Sequence, residues 1–178
     1  MDMRSVFIVF YCLMMVTVLG HMQKNSDYVK VSSSARQTGY VFAQPAGLLY
    51  GADVEVNLSS GTTLTHWGGI ESPSYVMNGM EYSDGALEVP MEGMYHVYAQ
   101  VFCDARQWCG HGIMVNNESV AITANNQATG GDRQSFYTGV DVYLYEFDEV
   151  TVVARNQGTA KYYFTKPRTI FGVIRRSG

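Results

Sequence analysis

The cysteines are the residues of this chain whose number and spacing most directly suggest covalent chemistry. Cys103 and Cys109 enclose five residues, and the third cysteine, Cys12, lies in an apolar N-terminal run. In an exported chain, an even pair that closes a short loop between two predicted strands most simply forms a local disulfide. Two free thiols or an interchain bond are the alternatives. We therefore expect a disulfide between Cys103 and Cys109.

The motifs that usually mark catalysis or metal binding do not occur in the sequence. There is no glycine-rich phosphate loop, no Gly-x-Ser-x-Gly elbow and no His-Glu-x-x-His pattern. The four histidines, at positions 21, 66, 96 and 111, lack zinc-ligand spacing with a cysteine or a carboxylate. We expect no catalytic residue, no metal site and no cofactor, and the chain is not predicted to be an enzyme.

Two asparagines stand in acceptor sequons for N-linked glycans. They are Asn57, followed by Leu58-Ser59, and Asn117, followed by Glu118-Ser119. Both fall in predicted turns or strand ends, and Asn117 lies at the tip of a predicted hairpin. We expect glycosylation at both, with Asn117 the more accessible site.

The N-terminal segment predicts export from the cell. Residues 1–20 begin with a positive charge, continue with an uncharged run from Val6 to Leu19 and end at Gly20, as a signal peptide does. An uncleaved type II signal anchor is the alternative, but the run is shorter than the roughly 20 apolar residues that cross a bilayer. We expect a secreted protein that is attached to a membrane only if the anchor is retained.

Composition favours one all-β domain after a flexible stalk. Residues 21–50 contain three consecutive serines but neither heptads nor Gly-X-Y repeats, which is typical of a flexible stalk. The whole chain of 178 residues is 47% hydrophobic and 13% aromatic with 18 glycines, as expected for one β-rich core. We therefore place a single folded domain at residues 51–178.

The charge pattern argues against nucleic acid and suggests how the chain packs. The net charge of -4 gives no basic footprint for phosphate. No lysine or arginine occurs between Arg36 and Arg106, whereas the chain after Glu149 is basic. Complementary packing of the N- and C-terminal strands is the favoured interpretation, and steering of a charged partner is the alternative.

Strand signals recur at the short spacing that a β-sandwich requires, and no segment has a convincing helical period. Residues 127–132, with two glycines, predict a loop, and Asn116-Asn117 predicts a tight hairpin. The predicted strands are residues 52–58, 63–67, 74–81, 86–89, 93–103, 113–115, 120–124, 136–145, 150–155 and 169–174.

The segment Gly93–Cys103 is predicted to be the central strand, because Met94–Cys103 contains no formally charged residue. Alternate side chains of a strand point to opposite faces. We expect one face to line the core and the other to meet a second copy of the same chain. The core face is predicted to contain Tyr95, Val97, Ala99 and Val101, and the opposite face His96, Tyr98 and Gln100.

Two separated motifs resemble the tumour necrosis factor ligand family. The first is Leu87-x-Val89-x-x-x-Gly93-Met94-Tyr95-x-Val97-x-x-Gln100, and the second is Arg168-Thr169-Ile170-Phe171-Gly172-Val173-Ile174-Arg175 at the C-terminus. The order and positions of both are those of the family, and His96 departs from its pattern. Two further pieces are similar to the ectodysplasin-like branch, namely Leu64-x-x-Trp67-x-x-Ile70 and Tyr137-Thr138-Gly139-Val140.

The resemblance implies a jelly-roll β-sandwich that assembles as a homotrimer and acts as an extracellular cytokine on a cysteine-rich cell-surface receptor. The implied trimer interface contains His96, Tyr98, Gln100, Tyr137, Ile170 and Ile174, with Phe171 and Val173 inside the domain. Three His96 rings near one axis are expected to stay neutral, because burial and mutual repulsion disfavour their charged form. The alternatives are an anion or metal held by the three rings, or a His96 side chain that extends to the solvent at one end of the axis. The implied receptor contacts are Ser59, Ser60, Arg106, Trp108, Asn116, Glu118, Lys161 and Tyr163, in or beside predicted loops.

Two other function classes share parts of this pattern. A complement-type globular head that recognises carbohydrate or pathogen surfaces has the same jelly roll and the same trimer. The short serine-containing stalk without Gly-X-Y repeats argues against it. A structural trimer of the extracellular matrix is the third class.

Overall fold

The computed structural model describes residues 44–68, 74–104, 106, 108–124 and 133–177. Within these ranges the chain forms thirteen β-strands and no helix. No helix of the described ranges is therefore long and apolar enough to span a membrane. The predictions for the leader, for most of the stalk, for Ile70 and for the loop of residues 127–132 fall outside the described residues.

The strands form two antiparallel sheets, as the predicted β-sandwich requires. The first sheet runs in the order β2-β12-β7-β13-β1-β3, with β10 paired to β7 and β4 paired to β1. The second runs β5-β6-β11-β8-β9. The first sheet comprises β1 Ala46–Gly51, β2 Val54–Ser59, β3 Trp67–Gly68, β4 Tyr75–Met77, β7 Gly93–Cys103, β10 Gln134–Leu144, β12 Thr159–Phe164 and β13 Ile170–Arg175. The second comprises β5 Glu81–Ser83, β6 Ala86–Glu88, β8 Cys109–Val115, β9 Glu118–Ala124 and β11 Glu149–Asn156.

The predicted central strand is confirmed as β7. It pairs with β10 along its full length, from Gly93 opposite Leu144 to Cys103 opposite Gln134. Its other edge pairs with β13 and then with β12. A strand that is hydrogen-bonded on both edges has no solvated backbone, so its polar main-chain groups are satisfied within the sheet.

The predicted alternation along β7 is also confirmed. Tyr95, Val97, Ala99 and Val101 are buried in the core between the sheets, whereas His96, Tyr98 and Gln100 are only half-buried on the opposite side. Phe171 and Val173 of β13 join the core from the neighbouring strand, as expected.

Trp67 is a core residue that closes the sandwich beside β1. Its Nε1 donates a hydrogen bond to the Leu64 carbonyl at 2.6 Å. Its ring packs edge-on against Phe164, with centroids 5.6 Å apart, and lies at the same distance from Phe171. A buried indole needs such a partner for its N–H, and the Leu64 carbonyl supplies it.

Two strands lie where the sequence predicts none. β1, Ala46–Gly51, pairs with β13 inside the predicted stalk, so the boundary expected at residue 51 lies too late. β12, Thr159–Phe164, pairs with β2 within a segment predicted to be a loop. Both strands are covered on much of both faces, and their burial does not alternate simply between polar and apolar positions. The alternation expected of a half-buried strand is therefore a poor guide to either one.

Two other predicted strands are shorter or broken. The strand predicted at residues 74–81 is split into β4 and β5 by a turn in which Asn78 and Gly79 have φ of 57° and 85°. Of the strand predicted at residues 63–67, only Trp67 belongs to β3, while Thr63 forms an isolated bridge to Val153.

The tight hairpin and the disulfide are both confirmed. Asn116 and Asn117 connect β8 to β9 with φ of 48° and 68°, the left-handed backbone that a two-residue hairpin requires and that asparagine tolerates. Cys103 at the end of β7 is bonded to Cys109 at the start of β8, and both are buried. The bond therefore ties the two sheets together at one end of the sandwich.

The favoured interpretation of the charge pattern agrees with the structure. Lys161 on β12 lies 3.1 Å from Glu55 on the adjacent β2. Lys166 lies 4.0 Å from Asp53, just before β2. The basic C-terminal segment thus packs beside the acidic N-terminal strand.

Candidate functional site

The candidate site is the side of the first sheet that points away from the core, here called the outer face. The strand register arranges its side chains in three rows across β13, β7 and β10. The middle row extends through Leu48 of β1 to Tyr75 of β4. The rows are Ile174-His96-Asp141, Gly172-Tyr98-Gly139 and Ile170-Gln100-Tyr137.

Tyr98 lies at the centre of the outer face, and two glycines make room for the aromatic rings. A Cβ at Gly172 would collide with the ring of Tyr98, and one at Gly139 would come within 2.9 Å of the Tyr137 hydroxyl. The Tyr98 ring therefore covers the backbone of β13 at Gly172, and the Tyr137 hydroxyl lies over Gly139 of its own strand, β10. Only glycine permits such a close approach.

The Tyr98 hydroxyl belongs to a group of tyrosines on this face. Burial, with smaller contributions from the neighbouring hydroxyls of Tyr75, Tyr50 and Tyr137, raises the pKa of Tyr98 to about 12. Tyr98 is neutral at physiological pH, as a tyrosine with an ordinary pKa also is. The centre of the outer face is therefore an uncharged aromatic surface with a few polar tips, a composition typical of protein interfaces.

His96 stands beside a carboxylate, which the sequence alone does not indicate. Its Nδ1 lies 2.7 Å from Oδ1 of Asp141, and its ring stacks on Tyr98 with centroids 5.6 Å apart. The hydrogen bond from His96, followed by that from Arg176, lowers the pKa of Asp141. The expectation of a neutral His96 concerned three rings about one axis and took no account of this carboxylate, and it stays a prediction.

All six residues predicted at the trimer interface lie on the outer face. Ile170, Ile174, His96, Tyr98 and Gln100 are half-buried in the single chain, and Tyr137 is 56% exposed. The Gln100 side chain donates to the Arg168 carbonyl at 3.0 Å, which fixes its position. Their role in assembly stays a prediction.

The residues predicted to contact a receptor fall into two groups at opposite ends of β8. Asn116 and Glu118 lie at the hairpin tip that follows β8. The larger group lies beyond the other end of the strand, near the disulfide and the end of β2. It contains Ser59, Ser60, Arg106, Trp108, Lys161 and Tyr163.

Two of these residues belong to a strand instead of a loop, and a third, Asn116, is exposed in its turn but has its side chain engaged. Lys161 and Tyr163 belong to β12, and Tyr163 is only 2% exposed, so its ring is not available for contact. The Asn116 side chain donates to Asp148 Oδ1 at 2.7 Å and accepts from the Glu149 backbone at 3.0 Å. Asn116 thereby fixes the hairpin against the turn that precedes β11.

Both sequons are accessible. Asn57 is exposed on β2, opposite Lys161, and Asn117 is exposed at the hairpin tip with φ of 68°. Ser59 of the first sequon lies 3.5 Å from the Thr159 hydroxyl at the strand end. Glycosylation at either position stays a prediction.

Comparison with known proteins decides the family. Residues 65–175 match the TNF(Tumour Necrosis Factor) family, which is more than half of the chain. The chain belongs to the tumour necrosis factor family. No curated protein matches it.

Two solved structures share the tumour necrosis factor fold with this chain. The structure of Eiger TNF from S. frugiperda is similar with a TM-score of 0.63 and 16% identity, covering 75% of this chain and 93% of that one. The crystal structure of murine APRIL at pH 8.5 gives a TM-score of 0.59 and 17% identity, covering 75% of this chain and all of that one. The predicted jelly-roll β-sandwich is therefore confirmed.

The family assignment favours the cytokine over the complement-type head, and it agrees with the motifs on which the resemblance was based. Both motifs lie within or around the matched residues, on β6 to β7 and on β13. Among the described residues, no three histidine, cysteine, aspartate or glutamate side chains come together as a metal site.

Sequence reasoning missed several residues of the outer face. Leu48 and Tyr50 were assigned to the stalk, and Asp141 carried no signal because its partner across the strands was unknown. The apolar stretch Ala46-Gly47-Leu48-Leu49-Tyr50 is a signal that could have located β1. Asp141 could be found only from the register of β7 with β10.

Proposed function

We propose that the chain is an extracellular cytokine that acts as a homotrimer and engages a cysteine-rich cell-surface receptor. The observation that carries the proposal is the outer face, where Tyr98, Tyr137 and their neighbours form an uncharged aromatic surface on a sheet whose other side is already a complete core. A surface of this kind on a monomer usually marks a contact with another protein.

The outer face is suited to a three-fold contact between identical chains. His96, Tyr98 and Gln100 project from the central strand at successive outward positions, so three copies could align these rows about one axis. The Tyr98 ring supplies apolar area at the centre, and the hydrogen-bonded pair of His96 and Asp141 lies one row away from it. Membership of the tumour necrosis factor family supports this arrangement.

The receptor is proposed to contact the two ends of the sandwich, at the margins of the outer face. One end presents Ser59, Ser60, Arg106 and Trp108, and the other presents the hairpin with Glu118. Within the family we retain the ectodysplasin-like branch as a hypothesis, based on Leu64, Trp67 and Tyr137. We propose secretion as the route to the cell exterior and no catalytic activity.

A binding screen tests the proposal. The purified chain is passed over immobilised cysteine-rich receptor ectodomains and, in parallel, over immobilised glycans. We expect saturable binding to a receptor ectodomain and none to the glycans. Binding to glycans alone would contradict the cytokine assignment and favour a recognition module.

A further inference from the structure

A basic cavity lies at the end of the sandwich that carries the disulfide. It has a volume of about 490 Å³ and is lined by Phe102, Arg106, Arg133 and Arg168. We call it the arginine pocket. It lies at the C-terminal end of β7, where Phe102 is the next outward position after Gln100, and beside the larger group of predicted receptor contacts.

The pocket has a rigid aromatic base. Phe102 and Tyr163 are only 6% and 2% exposed, and their ring centroids lie 5.3 Å apart. The guanidinium carbon of Arg133 lies 4.2 Å from the centroid of Tyr163, and that of Arg168 lies 5.0 Å from the centroid of Phe102. Each arginine is therefore held by a cation–π contact on a buried ring.

A cation–π contact does not consume the hydrogen-bond donors of an arginine. A guanidinium that lies over a ring contacts it through its face, whereas its five N–H groups lie at its edge. Such an edge matches the two oxygens of a carboxylate. Arg133 and Arg168 are thus held over the two rings with N–H donors that can bind an oxyanion.

The charge in the pocket is not balanced within the described part of the chain. Asp104 accepts from Arg106 Nε at 2.9 Å, and this hydrogen bond is the main reason why the pKa of Asp104 is lowered. Arg133 adds a weaker favourable field at Asp104. Among the described residues, neither Arg133 nor Arg168 forms an ion pair, so the lining carries three arginines and one nearby acid that Arg106 already engages.

We infer that the arginine pocket binds a carboxylate side chain from an acidic segment of a protein partner. The acidic segment belongs to the receptor, and this assignment alone rests on the proposed function. Arg133 and Arg168 bind the carboxylate, and Arg106, engaged by Asp104, contributes to the positive field.

A carboxylate fits this pocket better than a sulfated polysaccharide does. The two aromatic rings offer no bare face on which a sugar could stack, because both are buried under cations. A long polyanion would also need an extended basic track, whereas the whole chain has a net charge of -4. A single acidic side chain needs only the local field of the pocket, which salt screens beyond about 8 Å.

The test uses the full secreted chain and a short labelled peptide that alternates Glu with Ser, with its Gln-Ser counterpart as the neutral probe. Fluorescence anisotropy measures binding to the wild type, to the Arg133→Gln, Arg168→Gln double variant and to Lys166→Gln. Lys166 is the matched control because its replacement removes a positive charge from the adjacent loop without changing the pocket lining. We expect the double variant to bind the Glu peptide at least about tenfold more weakly and the control to bind it normally.

Two further measurements separate geometry from charge and a peptide from a polysaccharide. Arg133→Lys with Arg168→Lys keeps the charge but removes the planar fork, so it should also weaken binding if the geometry matters. Equal binding of the Glu peptide to the wild type and to the Arg→Gln double variant would overturn the inference. So would binding of a heparin hexasaccharide, but not of the peptide, that the same variants abolish.

The outcome is separable from that of the proposed function. The peptide titration requires no receptor, and the receptor screen is run first on the wild type and then, for any receptor that binds, on the Arg→Gln variants. Peptide binding without any receptor partner would refute the receptor and leave the pocket assignment intact. A receptor partner whose affinity is unchanged by the Arg→Gln variants would refute the pocket's role in receptor binding and leave the proposed function intact.

Discussion

His111 places an ionisable ring in the interior of the sandwich. It lies on β8 and is fully buried, and burial lowers its pKa to about 4 while the nearby Ala99 carbonyl opposes the shift only in part. The ring is therefore neutral in the folded protein under conditions in which an unfolded chain, with a pKa near 6.5, begins to take up a proton.

The pH dependence of stability follows from that difference. The unfolded state binds more protons between pH 6.5 and 4, so the stability held by neutral His111 is complete above about 6.5 and is lost as pH falls towards 4. The loss is on the order of 3 kcal/mol. Urea unfolding of the wild type and of His111→Leu across this window should show a steeper decline for the wild type, and equal slopes would contradict the assignment.

Single residues also mark the limit of what the sequence predicts. Alternation along Met94–Cys103 was sufficient to separate the core residues from His96, Tyr98 and Gln100. It could not reveal Asp141, because the neighbour of His96 depends on a register formed across 45 residues of chain. Tyr163 is the opposite case, in which a predicted loop residue is buried because its segment forms a strand.

At the scale of elements, the pairing of β8 with β9 depends on the absence of a side chain at Gly110. A Cβ there would overlap the backbone of β9 at Thr123 and Ala124. Gly110→Ala should lower the free energy of unfolding by about 2 kcal/mol, because the obstacle is backbone and cannot rotate away. Gly68→Ala is the matched control, since its Cβ would come no closer than 3.5 Å to the atoms around it. Chemical denaturation measures both, and similar losses would count against this packing.

The hairpin between β8 and β9 carries the more accessible sequon. Asn117 is exposed at its tip, and its neighbour Asn116 is held by Asp148 and Glu149, so a glycan would extend outward from a fixed turn. We expect the chain, when expressed through the secretory pathway of a eukaryotic host, to lose mass at Asn117 on treatment with a glycosidase. Asn117→Gln should remove that loss while Asn57→Gln leaves it, and an unchanged intact mass in the wild type would contradict the prediction.

The elements that the sequence predicts well are those with a strong local pattern. β7, β10, β11 and β13 agree with their predicted ranges to within about two residues. β1 and β12 were missed because their burial reflects neighbours on both sides, which a local pattern of polar and apolar residues does not record. The sequence therefore predicted the centre of the outer face, at Tyr98 and its neighbours on β7, but it missed the margin at Leu48 and Tyr50 of β1.

At the scale of the whole molecule, the family and the fold follow from the matched residues and the two sheets, while the assembly is the central proposal. Its basis is that the first sheet has a complete core on one side and an uncharged aromatic face on the other. Tyr98 lies at the middle of that face, beside Gly172 and Gly139. A charge placed there in three copies would meet two like charges in a poorly hydrated centre, at a cost of several kcal/mol.

Sedimentation equilibrium of the purified chain tests this proposal most directly. We predict the mass of three chains for the wild type and of one chain for Tyr98→Arg, with an unchanged circular dichroism spectrum. Val54→Arg serves as the control, because Val54 is 38% exposed on β2 but pairs with Phe164 away from the outer face, and it should remain trimeric. A wild type with the mass of one chain, or a Tyr98→Arg variant with the mass of three, would contradict the account.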